Sequence, residues 1–278
     1  MKNGDRIWKS IRKNQKVYTC IMLFLVLVLP VLIVRIYLSM ATYEGLSEPR
    51  KYPRSQIDMG LLYQNEYNLR DYQENGIQTK CGIDVSEHQG EIDWAQVADS
   101  GVEFAIIRVG YRTSTKGEIY GDVYYDANMR GASKAGIELG AYFFSQATSV
   151  KEAIQEAEFV IEQLAGYDVT MPVAFDMEDV NAGQDRISHL TVKEKTEIAD
   201  AFCYTIRRAG YTPVVYGNPT WIASSYELSY LTAYDLWLAH YTDYTSFQYA
   251  YCMWQYNSAG GIAGIGTGVD LNLYFYEE

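Results

Sequence analysis

The sequence predicts an α/β fold: a trimmed TIM-like barrel of about five β/α units plus three closing strands, preceded by one transmembrane helix. Three observations lead there. From residue 81 to the C-terminus, short apolar runs alternate with helical patterns, as parallel strands joined by crossover helices require. The alternation then stops, because the 13 residues 240–252 and the Gly-rich stretch 256–268 flank the seventh run, and neither reads as an amphipathic helix. Finally, residues 81–278 fall short of the about 250 typical of a full eight-unit barrel. An open doubly wound sheet is the alternative, but it leaves the helix-poor end unexplained.

The elements follow in order. Residues 1–16 form a basic tail, and Val17 to Val34 is an uncharged run of 18 residues. At 1.5 Å per residue that run is about 27 Å long, close to one bilayer core. Arg35 can snorkel, and Ile36 to Leu38 carry the segment into the interface, so 17–38 reads as a signal anchor. Six cations precede it, which places the N-terminus in the cytoplasm and the remainder outside, as a single-pass protein of the cytoplasmic membrane. A cleavable signal peptide ending at Ser39-Met40-Ala41 is the rival, although the apolar run exceeds the usual 7–15 residues of a signal core. Residues 39–80 sustain no apolar period and read as a stalk or linker, with an ordered cap around Leu61-Leu62-Tyr63 as the alternative.

The working domain is then 81–278. Its expected strands are Gly82–Val85, Phe104–Val109, Leu139–Phe144, Pro172–Asp176, Pro213–Tyr216, Leu236–Ala239, Met253–Gln255 and Val269–Leu273. The clearest helix is 150–164, where Ala153, Ile154, Ala157, Val160, Ile161 and Leu164 share a face behind Ser149 and Glu152 at capping-box spacing. A second spans 192–209 behind Thr191 and Glu194, and Gly210 reads as its C-cap.

Composition narrows the function. The chain is 48% hydrophobic with 26 Tyr, 9 Phe and 5 Trp, which excludes disorder for most of it. Net charge is −12, yet residues 1–39 hold seven cations against one anion, leaving 16 cations against 34 anions beyond them. A domain that acidic repels phosphate backbones, so no nucleic-acid partner is expected. Cys81, Cys203 and Cys252 cannot all pair and form no CxxC, which excludes a disulfide framework and a four-thiolate zinc site. One bridge among them stays open.

Phe175-Asp176-Met177-Glu178-Asp179 follows the apolar Pro172-Val173-Ala174, and an acidic cluster ending a buried parallel strand needs a reason. Residues i and i+2 of a strand share a face, so Asp176 and Glu178 lie about 6–7 Å apart on one side. Their repulsion raises one pKa, as a general acid needs. Asp84 ends the first strand and Asp270 lies on the last; adjacent in a closed barrel, they face the fourth strand across the lumen. The acids then converge on one mouth.

Gly82-Ile83-Asp84-Val85-Ser86-Glu87-His88-Gln89-Gly90, Phe104 to Arg108, Gly140 to Phe144, Phe175 to Glu178, Leu236 to Tyr241, Trp254-Gln255-Tyr256 and Val269-Asp270 together resemble glycoside hydrolase family 25, the Chalaropsis-type lysozymes, across 81–278. The resemblance implies a barrel of five β/α units and three closing strands. It also implies cleavage of the β-1,4 bond between N-acetylmuramic acid and N-acetylglucosamine in peptidoglycan. Glu178 would be the general acid and Asp176 would orient the substrate's 2-acetamido group, which attacks the anomeric carbon with overall retention. Asp84 and Asp270 would contact substrate and tune Glu178.

Tyr142, Tyr216, Trp237, Tyr241 and Trp254 lie at or near strand ends, where rings can stack on pyranose faces, and are the expected substrate-binding residues. His88, His189 and His240 lack metal-ligand spacing, and no metal or other cofactor is expected. The expected partners are peptidoglycan glycan strands and, through the N-terminal helix, the membrane. Two other readings share the fold logic: a non-catalytic peptidoglycan-binding module, and a chitinase-like hydrolase of another barrel family.

Overall fold

Residues 43–277, apart from 75 and 182, are described by a computed structural model. The expected basic tail over 1–16 and membrane helix over 17–38 lie outside the described residues. Among the described residues, no helix is long and apolar enough to cross a membrane.

A short hairpin comes first, β1 (Leu62–Gln64) with β2 (Arg70–Tyr72). Then follow β3 (Ile77–Val85), α1 (Trp94–Asp99), β4 (Phe104–Arg112), β5 (Ile119–Gly121), α2 (Tyr125–Lys134), β6 (Glu138–Ser145), α3 (Val150–Leu164) and β7 (Val169–Met177). The chain continues through α4 (Val192–Arg208), β8 (Pro213–Gly217), α5 (Pro219–Ser225), β9 (Asp235–Ala239), β10 (Met253–Gly260) and β11 (Val269–Glu277). Five strand–helix units and three closing strands are therefore present, as the spacing predicts.

Eight strands close into a ring in the order β3, β4, β6, β7, β8, β9, β10, β11, with β11 pairing back to β3. Neighbours run parallel except at β11, which is antiparallel to both β10 and β3. β5 is a side strand on β4.

Local chemistry accounts for the two long helices. In α4, Thr191 accepts from the Glu194 amide while Glu194 reaches back to the Thr191 amide, a complete capping box, and Gly210 at φ +94° ends the helix region. In α3, Ser149 accepts from the Glu152 amide at 3.3 Å, but Glu152 turns to the Thr148 amide at 2.8 Å and to Arg186. Their buried faces cover the outside of the barrel, with Phe159 against Phe143 and Phe202 against Phe175 at 6.0 and 5.1 Å between ring centroids.

The lumen is filled by alternate strand residues, among them Phe104, Ile106, Ala174, Val214, Trp237 and Met253. Gly82 and Gly140 allow this filling: a Cβ on either would lie 2.4 Å from Phe104 or Ile106 side-chain atoms.

The expected stalk differs from the structure over its described part. Residues 50–80 pack along the barrel, beginning with backbone bonds from Arg50 to Ser229 and from Ser55 to Gln248. Tyr52, Leu69 and Tyr72 are buried, and Tyr72 meets Phe275 edge-on at 5.5 Å. The physical reason is the missing helices. The outward faces of β10 and β11 have no crossover helix to cover them, and this segment takes that place.

Candidate active site

The reversed direction of β11 builds the site. Asp84 sits at the C-terminal end of β3, and the register pairs it directly with Asp270 near the start of β11. Asp176 is the penultimate residue of β7 and Glu178 lies just beyond the strand, while Met177, fully buried, points the other way. All four expected acids therefore stand at one mouth of the barrel.

Asp84 is held most tightly. Its Oδ2 accepts from Gln255 Nε2 and from Asn272 Nδ2, each at 2.7 Å. Both amides are fixed in turn: Gln255 Oε1 accepts from the Tyr216 and Tyr241 hydroxyls at 2.8 Å, and Asn272 Oδ1 accepts from Trp237 Nε1 at 2.8 Å. With their oxygens committed, both amides can only donate towards Asp84.

Burial raises all four carboxyl pKa values. Asp84 goes to about 6, desolvation outweighing the two amide bonds that favour its charge. Asp270 is pushed up to about 8, by burial first and the Asp84 charge second. Asp176 is raised by burial, then by Glu178 and Asp84, with Arg108 opposing. Glu178 is raised by burial and then by Asp84. Asp176 Oδ1 is buried without a hydrogen-bond partner among the described residues, which leaves it a free acceptor.

The expected aromatics divide. Tyr216 and Tyr142 stand over the lumen, and Tyr241 is 54% exposed at the rim. Trp237 and Trp254 do not offer a face to sugar. Trp237 lies in the lumen beneath Tyr216, 4.7 Å between centroids, and serves the site by orienting Asn272. Trp254 points out of the barrel under the Arg70 guanidinium, 5.0 Å from its ring, and is fully buried. Strand parity decides both: Gln255 faces inward, so Trp254 faces out.

Sequence reasoning missed Gln255, Asn272 and Arg108 as site residues. Each is a polar residue at an inward position of an otherwise apolar strand, and Asn272 is two residues from Asp270. Arg108 is buried and tied by Nε to Asp122 at 2.8 Å and by Nη2 to Glu87 at 2.9 Å, bringing one fixed positive charge to the acids. Among the described residues, no group of His, Cys, Asp and Glu could hold a metal ion, and Cys81, Cys203 and Cys252 are free.

Comparison with known proteins gives a consistent family. The profile described as Glycosyl hydrolases family 25 matches residues 83–265. Lysozyme M1 of Streptomyces globisporus is 28% identical over 232 residues, covering 79% of this chain and 75% of that protein. The autolytic lysozyme of Clostridium acetobutylicum is 30% identical over 196 residues, 69% of this chain and 55% of that one. Among solved structures, the modular autolysin LytC from Streptococcus pneumoniae, in complex with synthetic peptidoglycan ligand, superposes with a TM-score of 0.64 at 24% identity. That match covers 81% of this chain but about half, 52%, of LytC.

Proposed function

The chain belongs to glycosyl hydrolase family 25, and from that premise we propose that it is a peptidoglycan hydrolase of the lysozyme type. It cleaves the β-1,4 bond between N-acetylmuramic acid and N-acetylglucosamine. The observation that carries the reading is the meeting of Asp84, Asp176, Glu178 and Asp270 at one barrel mouth, in a chain similar to Lysozyme M1 over most of its length.

Glu178 is the general acid. Its raised pKa keeps the proton that it delivers to the glycosidic oxygen as the bond from that oxygen to C1 breaks. The carbonyl oxygen of the substrate's 2-acetamido group attacks C1, and Asp176 Oδ1 accepts the acetamido N–H, stabilising the charge that develops there. Water then attacks C1, its proton passes to Glu178, and the bond from C1 to the acetamido oxygen breaks, giving overall retention. The amide-held Asp84 stands opposite its register partner Asp270 at the mouth, and the Asp84 charge helps to keep the proton on Glu178.

The uncharged run 17–34, preceded by six cations, supports a single-pass anchor that holds this site on the wall side of the cytoplasmic membrane. The test is digestion of purified peptidoglycan by the full chain in detergent, with mass spectrometry of borohydride-reduced products. New muramitol ends are expected, and Glu178→Gln should lower their rate by about 10³-fold or more with the fold intact. Wild-type turnover in that variant refutes the assignment.

A further inference from the structure

A cleft of about 490 Å³ opens on the outer side of β10 and β11, lined on one side by the β1–β2 hairpin and on the other by the β9–β10 loop and the tip of the β10–β11 hairpin. Its volume lies in the range of small-ligand sites. Tyr241 at the rim ties it to the catalytic centre, for it lines the cleft while its hydroxyl bonds the Gln255 that holds Asp84. One wall, Gln64 to Arg70, belongs to the N-terminal hairpin, which precedes the barrel strands in the chain.

That wall is rigid. Asn65 Oδ1 accepts from the amides of Tyr67 and Leu69 at 3.0 and 3.1 Å, and Asn68 takes φ +61° to close the turn. Arg70 pins the hairpin to the loop opposite, its Nη1 donating to the Thr242 and Asp243 carbonyls at 2.9 and 2.7 Å and its Nη2 pairing with Asp243. A wall fixed in advance costs little ordering on binding.

The lining chemistry identifies the ligand. Tyr67 and Tyr241, half exposed, offer flat apolar faces; Gln64, Asn68, Asn257 and Ser258 offer amides and a hydroxyl. That combination suits an amino sugar, whose ring has an apolar face and whose acetamido group both donates and accepts. A stem peptide fits less well. Its carboxylates would need a cation, but Arg70, the cation among the lining residues, is committed to two carbonyls and Asp243, and the Asp243 carboxylate is itself largely exposed. We infer that this cleft is a saccharide subsite, walled by the N-terminal hairpin, that binds amino-sugar units of the glycan strand beyond those flanking the cleaved bond.

The inference rests on the glycosidase reading, so its test separates the two. The full chain carrying Glu178→Gln, in detergent, is titrated with peptide-free glycan strands of graded length by calorimetry. Affinity should rise with length. Adding Ser258→Trp, which fills the cleft, or Tyr67→Ala, which removes one stacking face, should weaken binding of long strands about tenfold and leave the shortest unchanged. Long strands bound equally by parent and both variants overturn the subsite, as does a length gain seen only with strands that carry stem peptides. If the parent binds no strand of any length, the glycosidase reading fails and takes the subsite with it.

Discussion

Asp84 accepts two amide hydrogen bonds and still sits at a pKa of about 6, because burial costs the charged form more than the amides return. The same negative charge is the second cause, after burial, of the raised Glu178 pKa. Asp84 thus acts on the reaction through Glu178. Replacing it by Asn removes the charge but leaves an oxygen that Gln255 and Asn272 can still bond. The general acid must be protonated, so activity falls as pH rises through the Glu178 pKa, and a lower pKa moves that alkaline limb to lower pH. We expect Asp84→Asn to shift the alkaline limb of kcat/KM to lower pH in its residual activity. An alkaline limb that stays in place in Asp84→Asn would show that burial alone sets the acid.

Among the elements, β11 and the segment 50–80 carry the arrangement. Because β11 runs against its neighbours, its beginning, not its end, lies at the mouth, and this brings Asp270 opposite Asp84. On the outside, Tyr72 covers Phe275 and is 4% exposed. Truncating a buried aromatic costs about 3–5 kcal/mol, so Tyr72→Ala should lower unfolding stability by about 3 kcal/mol in urea titration, with the m-value little changed. A free stalk predicts no loss. The eight barrel strands, the five helices and the four acids were legible because their signals are local, namely apolar runs, 3.6 patterns, caps, and carboxylates in apolar runs, whereas β1, β2 and β5 were not read. The cover was not, since Tyr52, Leu69 and Tyr72 are isolated in polar sequence and gain their burial only from distant strands. Trp254 misled for the same reason: a ring near a strand end reads as a sugar platform until the outer face of that strand is known to be covered. Gln255 and Asn272 carried a weaker signal, a polar residue at an inward position, which becomes decisive only once register fixes which face is inward.

Across the whole molecule, the site stores charge at the expense of stability. A carboxyl whose folded pKa exceeds its unfolded value of about 4 keeps a proton that the unfolded chain has released, so between those two values stability falls as pH rises. Asp84 does this up to about 6 and Asp270 up to about 8, while Asp176 and Glu178 shift in the same direction. Glu156, buried against Arg112 and Ser145, adds to the decline up to about 7. The melting temperature should therefore drop between about pH 4 and pH 8, and one contribution, running up to about pH 8, is that of Asp270. Asp270→Asn isolates it. The variant should melt about 3 °C or more above the parent at pH 8, with the difference closing towards about pH 4, where the unfolded chain holds the same proton. An equal gain at both pH values would trace the effect to packing, and no gain at pH 8 would mean that solvent at the half-exposed mouth already screens the charge.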